Sequence, residues 1–368
     1  MKKIKLIYTG GTICTTLNGQ IKSVNKDTAR ALPTYFKQSD SSYVNQVEFE
    51  DGEYFGILSE NMTVDKWNTL IEYFLNDVLP KVDEYSGIIV AHGTDTLAFS
   101  ASLFSVLLKG ITIPVFFVSS NEQILDENKN INANANGNEN FKTAVECICK
   151  GLSAGVYVPY RNIKRKTALD QNVWEEKVFV HAGQRLEQCK VYSENFYSFN
   201  PIKYSADKIF AKKKVQHQKK SLLIERFKDC KLKDCVLKIQ PYVGLNYSRF
   251  NLDGIKAVLH GVYHSGTACV VKTEECSFYD HASILSLIDK CKENGIDFYY
   301  SPSKVGENDK TYDSVPIIKN HQDGMANFFY GITEELLYAK LLIAYSLNLS
   351  KSEIRKLLTV SKQEKVVK

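Results

Sequence analysis

The stretch Gly87–Ser100, GIIVAHGTDTLAFS, sets the reading of the whole chain. Ile88, Ile89 and Val90 form a short apolar run of the kind a buried strand carries. A polar loop follows, His92-Gly93-Thr94-Asp95-Thr96, and then an apolar segment, Leu97–Lys109, that reads as a helix. Gly93 permits a tight turn. That order puts Thr94 and Asp95 at the carboxyl end of a strand, where open α/β sheets bind their ligands. A hydroxyl beside a carboxylate there suits chemistry on a polar small molecule. The same residues also read as a Thr/Asp cap on the helix, satisfying its orphan backbone N–H groups. A second strand and loop near the N-terminus, Lys5-Leu6-Ile7-Tyr8-Thr9-Gly10-Gly11-Thr12-Ile13, repeats the pattern: an apolar run, glycines, then a threonine.

Together the two loops resemble the bacterial-type L-asparaginase/glutaminase family, in its cytoplasmic type I form. Its two signatures, TGGTI and HGTDT, stand at Thr9–Ile13 and His92–Thr96 in the family's order and separation. The resemblance implies an α/β fold of two doubly wound domains, a larger N-terminal and a smaller C-terminal one. It implies that Thr12 attacks the side-chain amide carbon of asparagine, and that Thr94, Asp95 and Lys190 handle the protons. Asp95 would also meet the substrate's α-ammonium group, Ser59 and Glu60 would hold its α-substituents, and Gly11 and Gly93 would lend backbone N–H groups. No cofactor and no metal are expected. A homodimer or homotetramer with sites near subunit interfaces is expected, acting on a small amino-acid amide.

Length and composition are ordinary for a soluble globular protein. The 368 residues allow two domains with their own cores. Residues 1–200 are expected to form the catalytic domain, 201–234 a linker and 235–368 the second domain. A net charge of +5 is too mild to argue for a partner. No apolar run approaches a membrane span, and the apolar stretch of MKKIKLIYTGG is too short for a signal sequence. The nine cysteines are odd in number and scattered, which fits free thiols in a reducing cytoplasm better than a disulfide framework.

Along the chain, residues 15–36 read as a polar loop. In the family this loop is a mobile lid with the motif Gly-Tyr-Ile-Pro, whose tyrosine contacts the nucleophile. Here the motif reads Gly19-Gln20-Ile21-Lys22, so the tyrosine is either missing or supplied from elsewhere, with Tyr35 as a candidate. Val47–Glu50 reads as a short strand. Thr63 is a good N-cap for the helix that runs through Asp65 and Trp67 to Phe74. Glu60, where the family has Gln or Glu, resembles members that also accept glutamine. Ile111–Ser120 is a buried parallel strand by composition. Asn121–Asn140 is rich in asparagine and suits loops and turns, with Asn136 in place of a family aspartate, and Phe141–Cys149 is helical. Val156–Tyr160 is a strand, followed by an insertion, Arg161–Glu176. Lys190, Phe196 and Phe199 keep the spacing of the family's lysine and Phe-x-x-Phe segment. A lone lysine would otherwise be a solvated charge.

The lysine runs Lys212–Lys214 and Lys219–Lys220 lack the interleaved aromatics of a single-strand nucleic-acid platform. They read as a solvated linker face, and no nucleic-acid partner is expected. The second domain repeats the α/β alternation. Tyr263–Thr267 stands where the family completes a neighbour's site, but it departs from the usual Gly/Asn-rich sequence. Ser350-Lys351-Ser352-Glu353 is a capping box, and residues 334–346 form a buried helix. No metal-ligand spacing, nucleotide loop or GxSxG elbow is present. An amidase component of a tRNA-dependent amidotransferase ranks second, because such chains usually carry an additional N-terminal domain and this one begins at its first strand. A non-catalytic amino-acid-binding protein on the same fold ranks third.

Overall fold

The computed structural model describes residues 1–18, 21–166, 171–205, 222–271, 281–301, 327 and 329–366. They form two compact units, Met1–Asp229 and Cys230–Lys368.

The first unit is built on a seven-stranded sheet. Strand β1 (Lys2–Gly10) is followed by a hairpin, β2 (Thr15–Asn18) and β3 (Ile21–Val24), and by helix α1 (Lys26–Lys37). The expectation of a polar loop over 15–36 is therefore corrected. Asn25 caps α1 by accepting from the Asp27 and Thr28 N–H groups. Thr28, Ala29, Leu32 and Phe36 form its buried stripe at helical spacing. Polar residues on the other face, and Pro33 inside the helix, disguise that stripe in the sequence.

Strand β4 (Val47–Ile57) is longer than expected. It lies at the edge of the sheet among the described residues, where acidic residues are tolerated. Helix α2 (Val64–Tyr73) begins at Thr63, whose hydroxyl accepts from the Lys66 N–H. Strand β5 (Gly87–Ala91) is buried throughout, and helix α3 (Leu97–Leu107) buries nearly all its surface. Strand β6 (Pro114–Val118) is also wholly buried. Its continuous apolar run follows from lying parallel between two neighbours.

Helix α4 (Gly137–Cys149) starts four residues before the expected Phe141. Strand β7 (Gly155–Tyr160) follows, and the insertion forms a hairpin, β8 (Ile163–Lys166) with β9 (Asn172–Trp174). Strands β10 (Phe179–Ala182) and β13 (Ile202–Lys203) add antiparallel strands at the far edge. Between them, β11 (Leu186–Glu187) and β12 (Tyr197–Ser198) pair as a small ribbon. The sheet order is β13-β10-β7-β6-β5-β1-β4, and β7 through β4 run parallel. One face carries Ile4, Leu6, Ile89, Phe116 and Val118 against Phe36, Phe141 and Val145 from α1 and α4. Each large apolar side chain buried this way contributes about 1.5–3 kcal/mol.

The second unit carries a three-stranded parallel sheet of β14 (Val236–Ile239), β15 (Ala257–His260) and β16 (Asp297–Tyr300). The helix Ile284–Glu293 packs Leu287, Ile288 and Cys291 with Val258 and Phe298. The helix Glu334–Ser346 is buried on most sides and starts at Thr333, whose hydroxyl accepts from the Leu336 N–H. Its Lys340 ammonium is buried and pairs with Glu364 at 3.0 Å. The capping box is present, with Ser350 and Glu353 each satisfying the other's backbone. The lysine runs of 212–220 lie outside the described residues. Among those that are described, eight cysteines are free and no helix is long and apolar enough to cross a membrane.

Candidate active site

Strand β1 lies between β4 and β5. The chain leaves β1 to one side, toward β4, and from β5 continues to the other side through β6 and β7. The carboxyl ends of β1 and β5 therefore flank the point where strand order reverses, the usual ligand crevice of an open parallel sheet. The two ends are in register, Tyr8 opposite Ala91. The Thr9 hydroxyl ties them by donating to the Ala91 carbonyl at 2.8 Å.

The loops that follow touch through their glycines. Gly11 has φ +78°, a conformation glycine tolerates. A Cβ on Gly11 would lie 2.1 Å from Gly93 Cα, and a Cβ on Gly93 would lie 2.4 Å from Ser59 Cβ. Neither side chain would fit, so three backbone segments meet here: Gly11–Thr12, Gly93–Thr96 and Ser59–Glu60. Thr12 opens a single 3-10 turn, Thr12–Cys14, fixed by the Cys14 N–H on the Gly11 carbonyl at 2.8 Å. The Thr15 hydroxyl donates to the Thr12 carbonyl at 2.9 Å.

Ser59 is the hinge between the second and third segments. Its buried hydroxyl donates to Asp95 Oδ2 at 2.8 Å and accepts from the Asp95 N–H at 3.3 Å. The Thr96 hydroxyl donates to the Ser59 carbonyl at 3.0 Å. These bonds correct the capping alternative, because Thr96 stands at the N-cap of α3 without a side-chain cap bond. The acceptor for the first turn comes from elsewhere: Gln188 Oε1 accepts from the Ala98 N–H at 3.1 Å.

Gln188 and Cys189 are the site neighbours that motif reading misses. The Gln188 amide also donates to the Thr94 carbonyl at 2.8 Å. Burial pushes the Cys189 thiol pKa up, and the Asp95 charge adds to the rise. Only their place in the chain just before Lys190 points to them.

Lys190 lies on the loop between β11 and β12, with its side chain exposed. That side chain makes no hydrogen bond or ion pair among the described residues. The loop itself is held. The Ser193 N–H donates to the Lys190 carbonyl at 2.9 Å, and buried Phe196 packs edge-on against Tyr160 at 4.8 Å. The Asn162 side-chain amide donates to the Phe196 carbonyl at 2.9 Å and accepts from the Phe196 N–H at 3.0 Å. Thr12 and Thr94 are half-buried, while Asp95 and Glu60 are exposed, so the crevice is open to a solute.

His92 is buried beneath the loop, and its Nδ1 lies 2.7 Å from the Gly93 carbonyl. A carbonyl only accepts, so Nδ1 carries the hydrogen. Nε2 is then a buried acceptor without a partner among the described residues. Burial lowers the His92 pKa to about 4. Tyr54 on β4 has a buried hydroxyl that likewise lacks a partner, and burial, with Cys14 adding, raises its pKa to about 12.

Gly19 and Gln20, where the family carries its lid tyrosine, lie outside the described residues. Tyr35, the candidate for its place, bonds to another loop. Its hydroxyl donates to the Lys129 carbonyl at 3.4 Å, and its ring lines a cavity of about 250 Å³ with Lys142, Arg161 and Trp174. None of the candidate site residues lines that cavity. No cluster of metal-binding side chains occurs among the described residues.

The model of the asparaginase N-terminal domain matches residues 3–222. The thermostable L-asparaginase from Thermococcus kodakarensis superposes with a TM-score of 0.69 at 18% identity, over 100% of this chain and 99% of that one. L-asparaginase I from Vibrio cholerae O1 biovar eltor superposes with a TM-score of 0.66, also at 18% identity and with the same coverage. At that identity the likeness speaks for the fold. A glutamyl-tRNA(Gln) amidotransferase component from Saccharolobus islandicus is 33% identical over 123 residues, 32% of this chain. The matched stretch spans only a quarter (25%) of that relative's length.

Proposed function

This chain belongs to the asparaginase family, and on that premise we propose that it is an amidohydrolase that releases ammonia from the side-chain amide of L-asparagine, with glutamine as a second substrate. The observation that carries this reading is the contact of the two glycine loops at the strand switch point, with Ser59 bonded to Asp95 beside them.

In this reading Thr12 Oγ attacks the amide carbon. A threonine hydroxyl needs a base to take its proton, and Thr94 passes that proton toward Lys190. A lysine serves as base once its surroundings disfavour the ammonium form. Asp95 holds the substrate's α-ammonium group while Ser59 fixes the Asp95 carboxylate. The backbone N–H groups of the Gly11 and Gly93 loops stabilise the tetrahedral oxyanion. The nitrogen leaves as ammonia, taking up the proton, and water then cleaves the threonine ester to give aspartate. The free cysteines fit a cytoplasmic protein, and a homodimer or homotetramer follows from the family resemblance.

The deciding experiment is ammonia release from asparagine, glutamine and their D-isomers by the purified chain. Turnover of L-asparagine supports the proposal, and no release from any of the four overturns it. The name of the Saccharolobus relative favours a second reading, an amidase that feeds nitrogen from an amino-acid amide to a tRNA-linked acceptor. Turnover of asparagine by the chain alone counts against that reading. Release only from glutamine, and only when the acceptor tRNA is supplied, supports it.

A further inference from the structure

We propose that Gln188 is a positioning residue of the reaction, a carboxamide clamp that sets Thr94 against the loop that carries Lys190. The inference rests on the hydrolase reading above and adds a residue to it.

Three observations converge. Gln188 Nε2 donates to the Thr94 carbonyl at 2.8 Å, while its Oε1 accepts from the Ala98 N–H at 3.1 Å. The Thr94 carbonyl also accepts from the Leu97 N–H at 3.3 Å, so the clamp closes on the junction of loop and helix. Thr96 leaves the first turn of α3 without a side-chain cap, because its hydroxyl is given to Ser59. A residue distant in sequence fills that role, and it sits two positions before Lys190.

The geometry couples parts that are otherwise separate. The backbone of Thr94 hangs from the end of β5, whereas Lys190 rides on the exposed loop between β11 and β12. Phe196 and Asn162 anchor the far end of that loop. Gln188 anchors the near end, and Cys189, next in the chain, lies close enough to Asp95 to feel its charge. Proton transfer depends steeply on the separation of donor and base. A misplacement of about 1 Å can cost on the order of 10²-fold in rate.

Side-chain chemistry supplies the test. Glutamine presents one donor and one acceptor group at the same time. Methionine at position 188 fills similar volume with neither of these bonds. Glutamate keeps the acceptor for Ala98 but, when ionised, turns an oxygen toward the Thr94 carbonyl. When protonated, it regains a donor.

The experiment compares the full chain with Q188M and Q188E by ammonia release, thermal melting and pH profile. We expect Q188M to lose roughly 10- to 100-fold in kcat with KM for asparagine within about twofold. We expect Q188E to be impaired at neutral pH, and its rate relative to the parent to recover as pH falls through the carboxyl pKa. The Q188M ratio should stay flat over the same range. A parent-like kcat in folded Q188M, or a loss confined to KM or to melting temperature, overturns the clamp. If Q188M fails to fold, a flat Q188E ratio overturns it instead. An inactive parent chain overturns the hydrolase reading and the clamp with it; an active parent with unaffected variants overturns the clamp alone.

Discussion

The Ser59 hydroxyl donates to the Asp95 carboxylate and accepts from the Asp95 backbone N–H, so one side chain holds both ends of that residue. A hydrogen bond to a charged group contributes about 1.5–3 kcal/mol. Ser59→Ala is therefore expected to lower kcat/KM for asparagine by roughly 10- to 100-fold, mainly through KM, because a carboxylate free to rotate grips the α-ammonium poorly. Steady-state kinetics check this. An unchanged KM would leave Ser59 a packing residue.

Thr12→Ala is expected to abolish turnover while preserving the melting temperature, since the side chain is half-buried in a short turn and the fold does not rest on it. Thr94→Val is expected to lose about 10²–10⁴-fold, the usual worth of proton handling. Near-parent rates in the first variant would remove Thr12 as nucleophile.

Glu60 is exposed beside buried Ser59 in the turn Ser59–Asn61, ahead of the helix that Thr63 already caps. A carboxylate there only accepts, whereas glutamine also donates. Glu60→Gln is expected to raise the asparagine-to-glutamine ratio of kcat/KM modestly, because one methylene is worth only about 1–3 kcal/mol to a pocket. An unchanged ratio with a lowered melting temperature would reduce Glu60 to a favourable charge at a helix start.

Gly93→Ala drives a methyl group into the Ser59 side chain, and the backbone of Gly11 lies close by. Overpacking of this kind costs about 1–3 kcal/mol. We expect a melting temperature lower by several degrees and near-complete loss of activity. Paired Gly93→Ala and Ser59→Gly substitutions would recover part of the stability if the clash is with Ser59.

Three buried histidines among the described residues set an acid limit. Burial lowers the pKa of His92 and His260 to about 4, and of His181 to about 3, from 6.5. Between those values the unfolded chain binds protons that the folded chain refuses. Stability is then fully present above about pH 6.5 and falls as pH drops toward 4, by on the order of 3 kcal/mol per histidine. Urea midpoints at pH 7 and pH 5 test this, together with imidazole titration by NMR. A flat midpoint, with all three rings titrating near 6.5, would contradict it.

The centre of the molecule is legible in the sequence and its rim much less so. Strands β5 and β6 are buried on both faces, and an unbroken apolar run can do little else in a chain of this size. The loops after β1 and β5 are short and glycine-bound, so motif and geometry coincide. Helix α1 escapes because half of it faces water and it contains a proline. Strand β4 reads short because an edge strand accepts charges that look like a loop. Gln188 escapes for a different reason: its two bonds reach across 90 or more positions to backbone atoms, and backbone atoms leave no trace in a residue code.

His92 has one further consequence. An acceptor buried without a donor costs about 1–3 kcal/mol, and among the described residues that burden falls one residue from Gly93 and two from Thr94. Evolution toward heat resistance alone would find an easy gain at this joint, by supplying a donor or by removing the imidazole. Those same substitutions would disturb the loop whose shape the chemistry requires. Laboratory selection on this protein is therefore expected to meet a conflict between endurance and turnover at His92.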